Sequence, residues 1–320
     1  MVDLQSREGS TLGDQWRLGE LLGIGGVAAV YAARDLAGEN PVAIKVLHPD
    51  MAQLPEIRQR FLRESRVANT IPHRGVARVL EHGETSDGCP FLVMELLVGE
   101  SYEQRWERKG RALPIAEVLW MADQTLDILH AAHKKGIVHR DIKPDNVFIT
   151  GDRRIVVLDF GIAGLSDLAA AAEATRVGVV MGTPAFMPPE QARGDWTHVG
   201  IQTDLWAVGA TMFTLISGRV VHDERRLFDQ LNAAVTREAA SLAEVAPGTP
   251  DPIVNLVDFA LRFDHSARWP NARAMQMALR SAYADWRRQS LDGPIPDDEV
   301  EITDALRLEK PEAPPMSRRG

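Results

Sequence analysis

Short runs of alternating apolar and polar residues, set apart by turn residues, fill the first hundred positions. They predict half-buried strands at 16–22, 30–34, 42–47, 76–82 and 91–96. One helix interrupts them over 55–68, where Ile57, Phe61 and Ala68 keep helical spacing and Glu64 falls on the same face. From about Leu113 the period changes, and Ile115, Val118, Leu119, Ala122, Leu126 and Leu129 form one stripe of a long helix. Segments 147–149 and 155–158 read as a small hairpin, and helical patterns dominate from Pro189 to about Arg288. The pattern predicts a small sheet-based lobe, then a larger helical lobe, with 96–101 between them.

Composition narrows the class. The chain has 320 residues, 45% hydrophobic and 25% charged, which are globular values. Its 36 Lys and Arg against 45 Asp and Glu give a net charge of −9, so binding nucleic acid by bulk charge is excluded as an expectation. A single cysteine, Cys89, excludes an intrachain disulfide and permits a reducing compartment. Cys89 reads as a small residue near a strand start. The N-terminus lacks an apolar stretch of signal-peptide length. The run 205–218, 14 uncharged residues between Asp204 and Arg219, is shorter than the roughly 20 of a membrane helix and predicts a buried one. A cytoplasmic location with no membrane segment in the chain is the expectation. The last 28 residues, 293–320, hold 5 of the 19 prolines and 7 acidic residues, and predict a disordered tail.

The chemistry-bearing residues are clustered. Gly23-Ile24-Gly25-Gly26-Val27-Ala28 fits a dinucleotide pattern if a helix follows, or a glycine hairpin over a nucleotide if Val30 and Tyr31 lie on a strand. Lys45 lies on an apolar strand, and Glu64, 19 residues later, lies on the apolar face of its helix. An unpaired carboxylate there is costly to desolvate, so the two predict a pair. His139-Arg140-Asp141-Ile142-Lys143-Pro144-Asp145-Asn146 packs four charges, an imidazole and an amide into eight positions, and Pro144 keeps it out of a helix interior. Eighteen residues after Asp141, Asp159-Phe160-Gly161 ends an apolar run. An acid beside a glycine at a strand end suits a metal ligand, and oxygen donors suit Mg2+.

With these motifs in this order, the chain resembles the eukaryotic-like (Hanks-type) serine/threonine protein kinases, bacterial members above all. The segment Gly182-Thr183-Pro184-Ala185-Phe186-Met187-Pro188-Pro189-Glu190 adds to the match. The resemblance covers roughly 16–288. It implies an α+β bilobal fold: an antiparallel-sheet N-lobe with one key helix (16–96), a hinge (95–101) and a mainly helical C-lobe (102–288), with an N-terminal extension (1–15) and a tail (289–320). Two spellings depart from the family. Ala28 replaces the third loop glycine, which bears on loop mobility, and Pro188-Pro189-Glu190 replaces A-P-E while keeping the glutamate expected to pair with Arg268.

The resemblance also implies roles. Lys45, steadied by Glu64, holds ATP phosphates. Asn146 and Asp159 hold Mg2+, for which Mn2+ substitutes. Asp141 takes or orients the substrate hydroxyl proton, and Lys143 contacts the transferring group. The nucleotide is expected against Leu22, Gly23, Ile24, Gly25, Gly26, Val27, Ala28 and Ala29, with adenine between Val30 and Ala43 above and Phe148 below. Met94 guards the back of the pocket, and the backbone of Glu95 to Leu97 bonds the base. Thr183 belongs to the substrate platform. Thr175 is an expected autophosphorylation site pairing with Arg140. Asp204 reads as a helix-cap aspartate, the resemblance implies that it reaches the backbone of the catalytic loop, and the two are compatible. His73, His130, His133 and His265 show no ligand pattern and are expected to be structural or solvent-facing. Expected partners are ATP, protein substrates bearing Ser or Thr, and a second copy in a transient dimer for trans-autophosphorylation, with no nucleic acid. The competing readings are a pseudokinase scaffold, a small-molecule phosphotransferase of the same fold, and a dinucleotide oxidoreductase that uses the glycine segment alone.

Overall fold

The computed structural model describes residues 7–38, 41–160, 184–288 and 291, apart from the side chains of Glu64 and Ser65. Six strands form the first sheet: β1 (Thr11–Leu12), β2 (Trp16–Ile24), β3 (Ala28–Asp35), β4 (Pro41–Leu47), β5 (Val79–Glu84) and β6 (Pro90–Glu95). Their order is β1-β2-β3-β4-β6-β5, antiparallel throughout. Two helices, α1 (Pro49–Ala52) and α2 (Pro55–Thr70), lie between β4 and β5.

Strand alternation sorts side chains onto two faces of this sheet. Ala29, Tyr31, Val42, Ile44, Val46, Phe91 and Val93 pack one cluster with Leu12 and Trp16. Ala28, Leu47 and Leu92 face the other way, into a second cluster that includes Ile57, Phe61 and Ala68 of α2 and runs on into the helical lobe. The three predicted apolar positions of α2 are thus its buried ones.

A second sheet, in order β7-β8-β9, joins the lobes: β7 (Gly99–Ser101), β8 (Val147–Thr150) and β9 (Ile155–Val157). Gly99 is obligatory there. Its φ is +154°, and a Cβ would lie 2.1 Å from the Ile149 carbonyl oxygen. Around this sheet pack α3 (Tyr102–Arg108), α4 (Ile115–His133), α5 (Pro189–Ala192), α6 (Ile201–Ser217), α7 (Leu227–Thr236), α8 (Leu242–Val245), α9 (Asp251–Ala260) and α10 (Ala272–Arg287). The predicted stripe of α4 is buried at Val118, Leu119, Ala122, Leu126 and Leu129. Every residue of α6 from Thr203 to Leu215 is buried. The uncharged run is a core helix, and no helix of the described residues is long and apolar enough to cross a membrane.

The structure refines the sequence reading at several elements. The strand expected at 76–82 runs Val79–Glu84, because Val76 pairs instead with Val157 of the second sheet. Residues before Trp16 add to the sheet: Thr11 and Leu12 pair with Arg17 and Trp16, and Arg7 meets Asp87 at 2.6 Å. Of the two alternatives left open after the glycine segment, the strand is the one found, over Ala28 to Asp35, and not the helix of the dinucleotide reading. Leu291, assigned to the tail, packs on the main core. Residues 292–320 lie outside the described residues. Cys89 is buried just ahead of β6, and burial pushes its thiol up.

Candidate active site

A cleft of about 490 Å3 opens between the sheet and the helical lobe. From above it is lined by Leu22, Gly23, Val30 and Ala43, at the back by Met94, and along the connection by Glu95, Leu96 and Leu97. Phe148, Leu158, Asp159 and Phe160 line the lower side. Ile24, the last residue of β2, and Gly25, Gly26 and Val27 in the hairpin between β2 and β3 do not line this volume, and the Gly25 N–H donates to the Ala28 carbonyl at 2.8 Å. Ala29 is a correction. It belongs to the opposite face of the sheet, since alternation that turns Val30 to the cleft turns its neighbour away.

Strand β4 carries Lys45 to 2.6 Å from Asp159 Oδ1, with 5% of the lysine side chain exposed against 36% of the aspartate. The Glu64 side chain lies outside the described residues, so its expected pairing with Lys45 is undescribed. Thr175 and Thr183 lie outside them as well.

The loop 138–146 is fixed from several sides. Asp204 does not cap its helix, which starts at Ile201. Its carboxylate accepts the backbone N–H of His139 at 2.9 Å and of Arg140 at 2.7 Å, and meets His133 Nε2 at 2.8 Å. His139 is fully buried and stands edge-on to Phe160, with 4.7 Å between ring centroids. Its Nε2 donates to the Leu158 carbonyl and its Nδ1 accepts the Asp141 N–H, which sets the tautomer. Gln191 of α5 donates to the Arg140 carbonyl at 3.1 Å. Glu190 beside it is buried and bonded twice to Arg268, at 2.8 Å each, as expected. Arg140 and Asp159 have φ of +69° and +61°, a left-handed region that costs a non-glycine residue roughly 1–3 kcal/mol.

Asp141 Oδ2 accepts from Asn146 Nδ2 at 2.9 Å and lies 3.6 Å from Lys143 Nζ. Its Oδ1 takes no hydrogen bond from the described residues. Burial pushes the Asp141 carboxyl up and Asp159 adds to the rise, while Lys143 and the Asn146 bond oppose it. The side chain is nonetheless 42% open, so water still reaches it. Hairpin pairing brings Asn146 beside Asp159: Leu158 N–H donates to the Asn146 carbonyl at 2.9 Å. Their side chains offer an amide and a carboxylate, a hard oxygen set that fits a divalent cation whose other ligands are phosphate and water. Among the described residues no three His, Cys, Asp or Glu side chains converge on a metal centre of their own.

Sequence reasoning missed three contributors. Arg154, in the turn after β8, bonds Glu95 at 2.6 Å and so ties the connection to the lower lobe. Glu103 lines the cleft mouth near Asp145 and Glu107, and burial followed by those carboxylates raises its pKa to about 7. His48 sits against the glycine hairpin. The sequence signals for Glu103 are its place two residues past the connection and a second carboxylate, Glu107, one turn further along α3.

The chain matches the protein kinase domain family over residues 16–283. It is 36% identical to Serine/threonine-protein kinase Pkn1 of Myxococcus xanthus over 279 residues, 86% of this chain and 39% of that protein. It is 32% identical to Serine/threonine-protein kinase PknB of Mycolicibacterium smegmatis over 319 residues, 97% of this chain and 48% of the relative. The chain therefore spans less than half the length of these two relatives. Among solved structures, the Mycobacterium tuberculosis PknI kinase domain matches with a TM-score of 0.65 at 25% identity, covering 86% of this chain and 98% of that one.

Proposed function

Since the chain belongs to the protein kinase family, we propose that it is a serine/threonine protein kinase that moves the γ-phosphoryl group of ATP to protein hydroxyls. The observation that carries this is that Lys45 meets Asp159, which lines the cleft, while Asp141 holds Lys143 and Asn146 close to it, and the β8–β9 pairing sets Asn146 beside Asp159. ATP with Mg2+, or Mn2+ in its place, supplies the phosphoryl group and a cation that spreads its charge. Lys45 neutralises phosphate charge. Asn146 and Asp159 are the residues that would hold the cation. Asp141 keeps Oδ2 on Asn146 and leaves Oδ1 to accept the proton of a substrate hydroxyl. Lys143, close to that carboxylate, offers a positive charge where the phosphoryl group arrives.

Every charged group of the reaction is present, which favours catalysis over a scaffold that only binds. The 182–190 segment resembles a platform for protein substrates and so disfavours a small-molecule phosphotransferase. Our reading extends to a cytoplasmic enzyme that autophosphorylates at Thr175 in a transient dimer. Arg140 supports that site, because its Nε is buried with no hydrogen-bond partner among the described residues and a phosphate on Thr175 would supply an acceptor. In the test, Lys45→Met and Asp159→Asn each abolish γ-phosphate transfer to a generic protein while far-UV circular dichroism is unchanged. Substantial transfer by both variants would refute the assignment. Phosphate at Thr175 after incubation with Mg-ATP, missing in Asp141→Asn, is the mass-spectrometric test of the autophosphorylation.

A further inference from the structure

His48 stands three residues past Lys45, between β4 and α1. It holds the glycine hairpin twice. Its backbone N–H donates to the Val27 carbonyl at 2.9 Å, and its Nε2 lies 2.8 Å from the Gly25 carbonyl oxygen. A carbonyl only accepts, so Nε2 is the donor of this contact. Nδ1 is buried with no hydrogen-bond partner among the described residues. The contact to the hairpin is thus the one hydrogen bond the ring makes among them.

That bond fixes more than a distance. The Gly25 carbonyl and the Gly26 N–H belong to one planar trans peptide and point in opposite directions. Turning the carbonyl toward His48 turns the Gly26 N–H away from it. The amides of Gly26 and Val27 make no hydrogen bond among the described residues, whereas the Gly25 amide is spent on Ala28. Glycine on both sides makes rotation of the 25–26 peptide sterically cheap, so the loop backbone alone does not choose between the two orientations. Its side-chain partner does.

We propose that His48 is a positioning residue that locks the Gly25–Gly26 peptide so that the Gly26 N–H stays free for an anionic phosphate oxygen of the nucleotide. The inference rests on the nucleotide reading of the cleft. A hydrogen bond from an amide to a charged acceptor is a strong one, and its loss is read as a weaker grip on phosphate with no change in the grip on the base.

The experiment measures ADP and adenosine affinity by calorimetry, with ATP KM and kcat, in the wild-type chain, His48→Leu and His48→Gln. His48→Leu weakens ADP binding and raises ATP KM roughly tenfold, and leaves adenosine affinity and kcat unchanged. His48→Gln, whose amide Nε2 replaces the imidazole donor, restores most of the loss. Amide exchange adds a readout that needs no variant: the Gly26 N–H of the free wild-type chain exchanges fast and slows when ADP is added. Equal losses for ADP and adenosine, wild-type ADP affinity in His48→Leu, no rescue by glutamine, or a protected Gly26 amide in the free protein would each overturn the inference. Should the wild-type chain bind neither ADP nor adenosine, the nucleotide reading itself falls, and this inference with it.

Discussion

Two loops on opposite sides of the cleft are held in place very differently. The glycine hairpin closes on one backbone bond, Gly25 to Ala28, and leans on His48. Ile24 beside it is 61% exposed. Loop 138–146 instead rests on the buried carboxylate of Asp204, the buried ring of His139, Gln191 and Asn146. Non-glycine residues persist in left-handed conformations only where their surroundings over-determine them, and Arg140 and Asp159 are such residues. The difference follows what each loop does in the proposed reaction. Groups whose atoms take part sit where a small displacement is costly. Groups that cover a phosphate need only offer amides. Damage below the cleft should therefore lower turnover and stability together, and damage above it should act on nucleotide affinity.

The harshest way to break this comparison is Arg268→Ala. It leaves Glu190 buried with Thr203 as its remaining side-chain donor among the described residues, and an uncompensated buried charge costs about 3–5 kcal/mol. Urea unfolding should show that loss, and turnover should fall because the adjoining Gln191 positions the Arg140 carbonyl. Adding Glu190→Gln should recover part of the stability. An unchanged midpoint in the single variant would mean that the pair supports nothing.

Asp204→Ala is next in size. It strips acceptors from two backbone N–H groups, which costs about 2–4 kcal/mol. A shifted loop should cut kcat roughly 100-fold while ATP KM stays within about threefold. A rise in KM with kcat intact would assign Asp204 to nucleotide binding and erase the contrast between the loops.

What could be foreseen tracks how local the cause is. The α4 stripe and the alternation of β3, β4 and β6 are periodic, so the faces follow from spacing alone. The 139–146 and 159–161 runs were legible because their chemistry is compressed into a few neighbouring positions. Asp204 was ambiguous, because both a cap and a long-range acceptor suit an acid at a helix start, and the choice depends on a loop 64 residues away. Pairing of Gly99–Ser101 with β8 and of Thr11–Leu12 with β2 left no periodic trace in such short strands. His48 and Arg154 act through partners distant in sequence, and Glu103 is raised first by burial and then by Asp145 across the cleft mouth, with Glu107 one turn along α3 the only part of that cause in its own neighbourhood.

The smallest effect expected lies at the cleft mouth on the catalytic side. Glu103 is half-buried, and burial, then Asp145 and Glu107, raise its carboxyl from 4.5 to about 7, against Arg111 and Lys143. Between those two values the folded chain holds a proton that the unfolded chain has released. Stability therefore falls as pH rises through that window, and is flat above about 7. Glu103→Gln removes the ionisation. Partial exposure reduces the nominal 1.36 kcal/mol per unit, so the variant should gain on the order of 1 kcal/mol at pH 8. That is a rise in Tm of roughly 1–2 °C, from about 2.1 cal/mol/K of unfolding entropy per residue over a chain of this length. Near pH 5 the wild-type carboxyl is protonated and as neutral as the amide, so the two melting curves should converge. Equal Tm differences at both values would place the cause in packing rather than charge, and would remove crowded carboxylates from what distinguishes the lower side of the cleft from the upper.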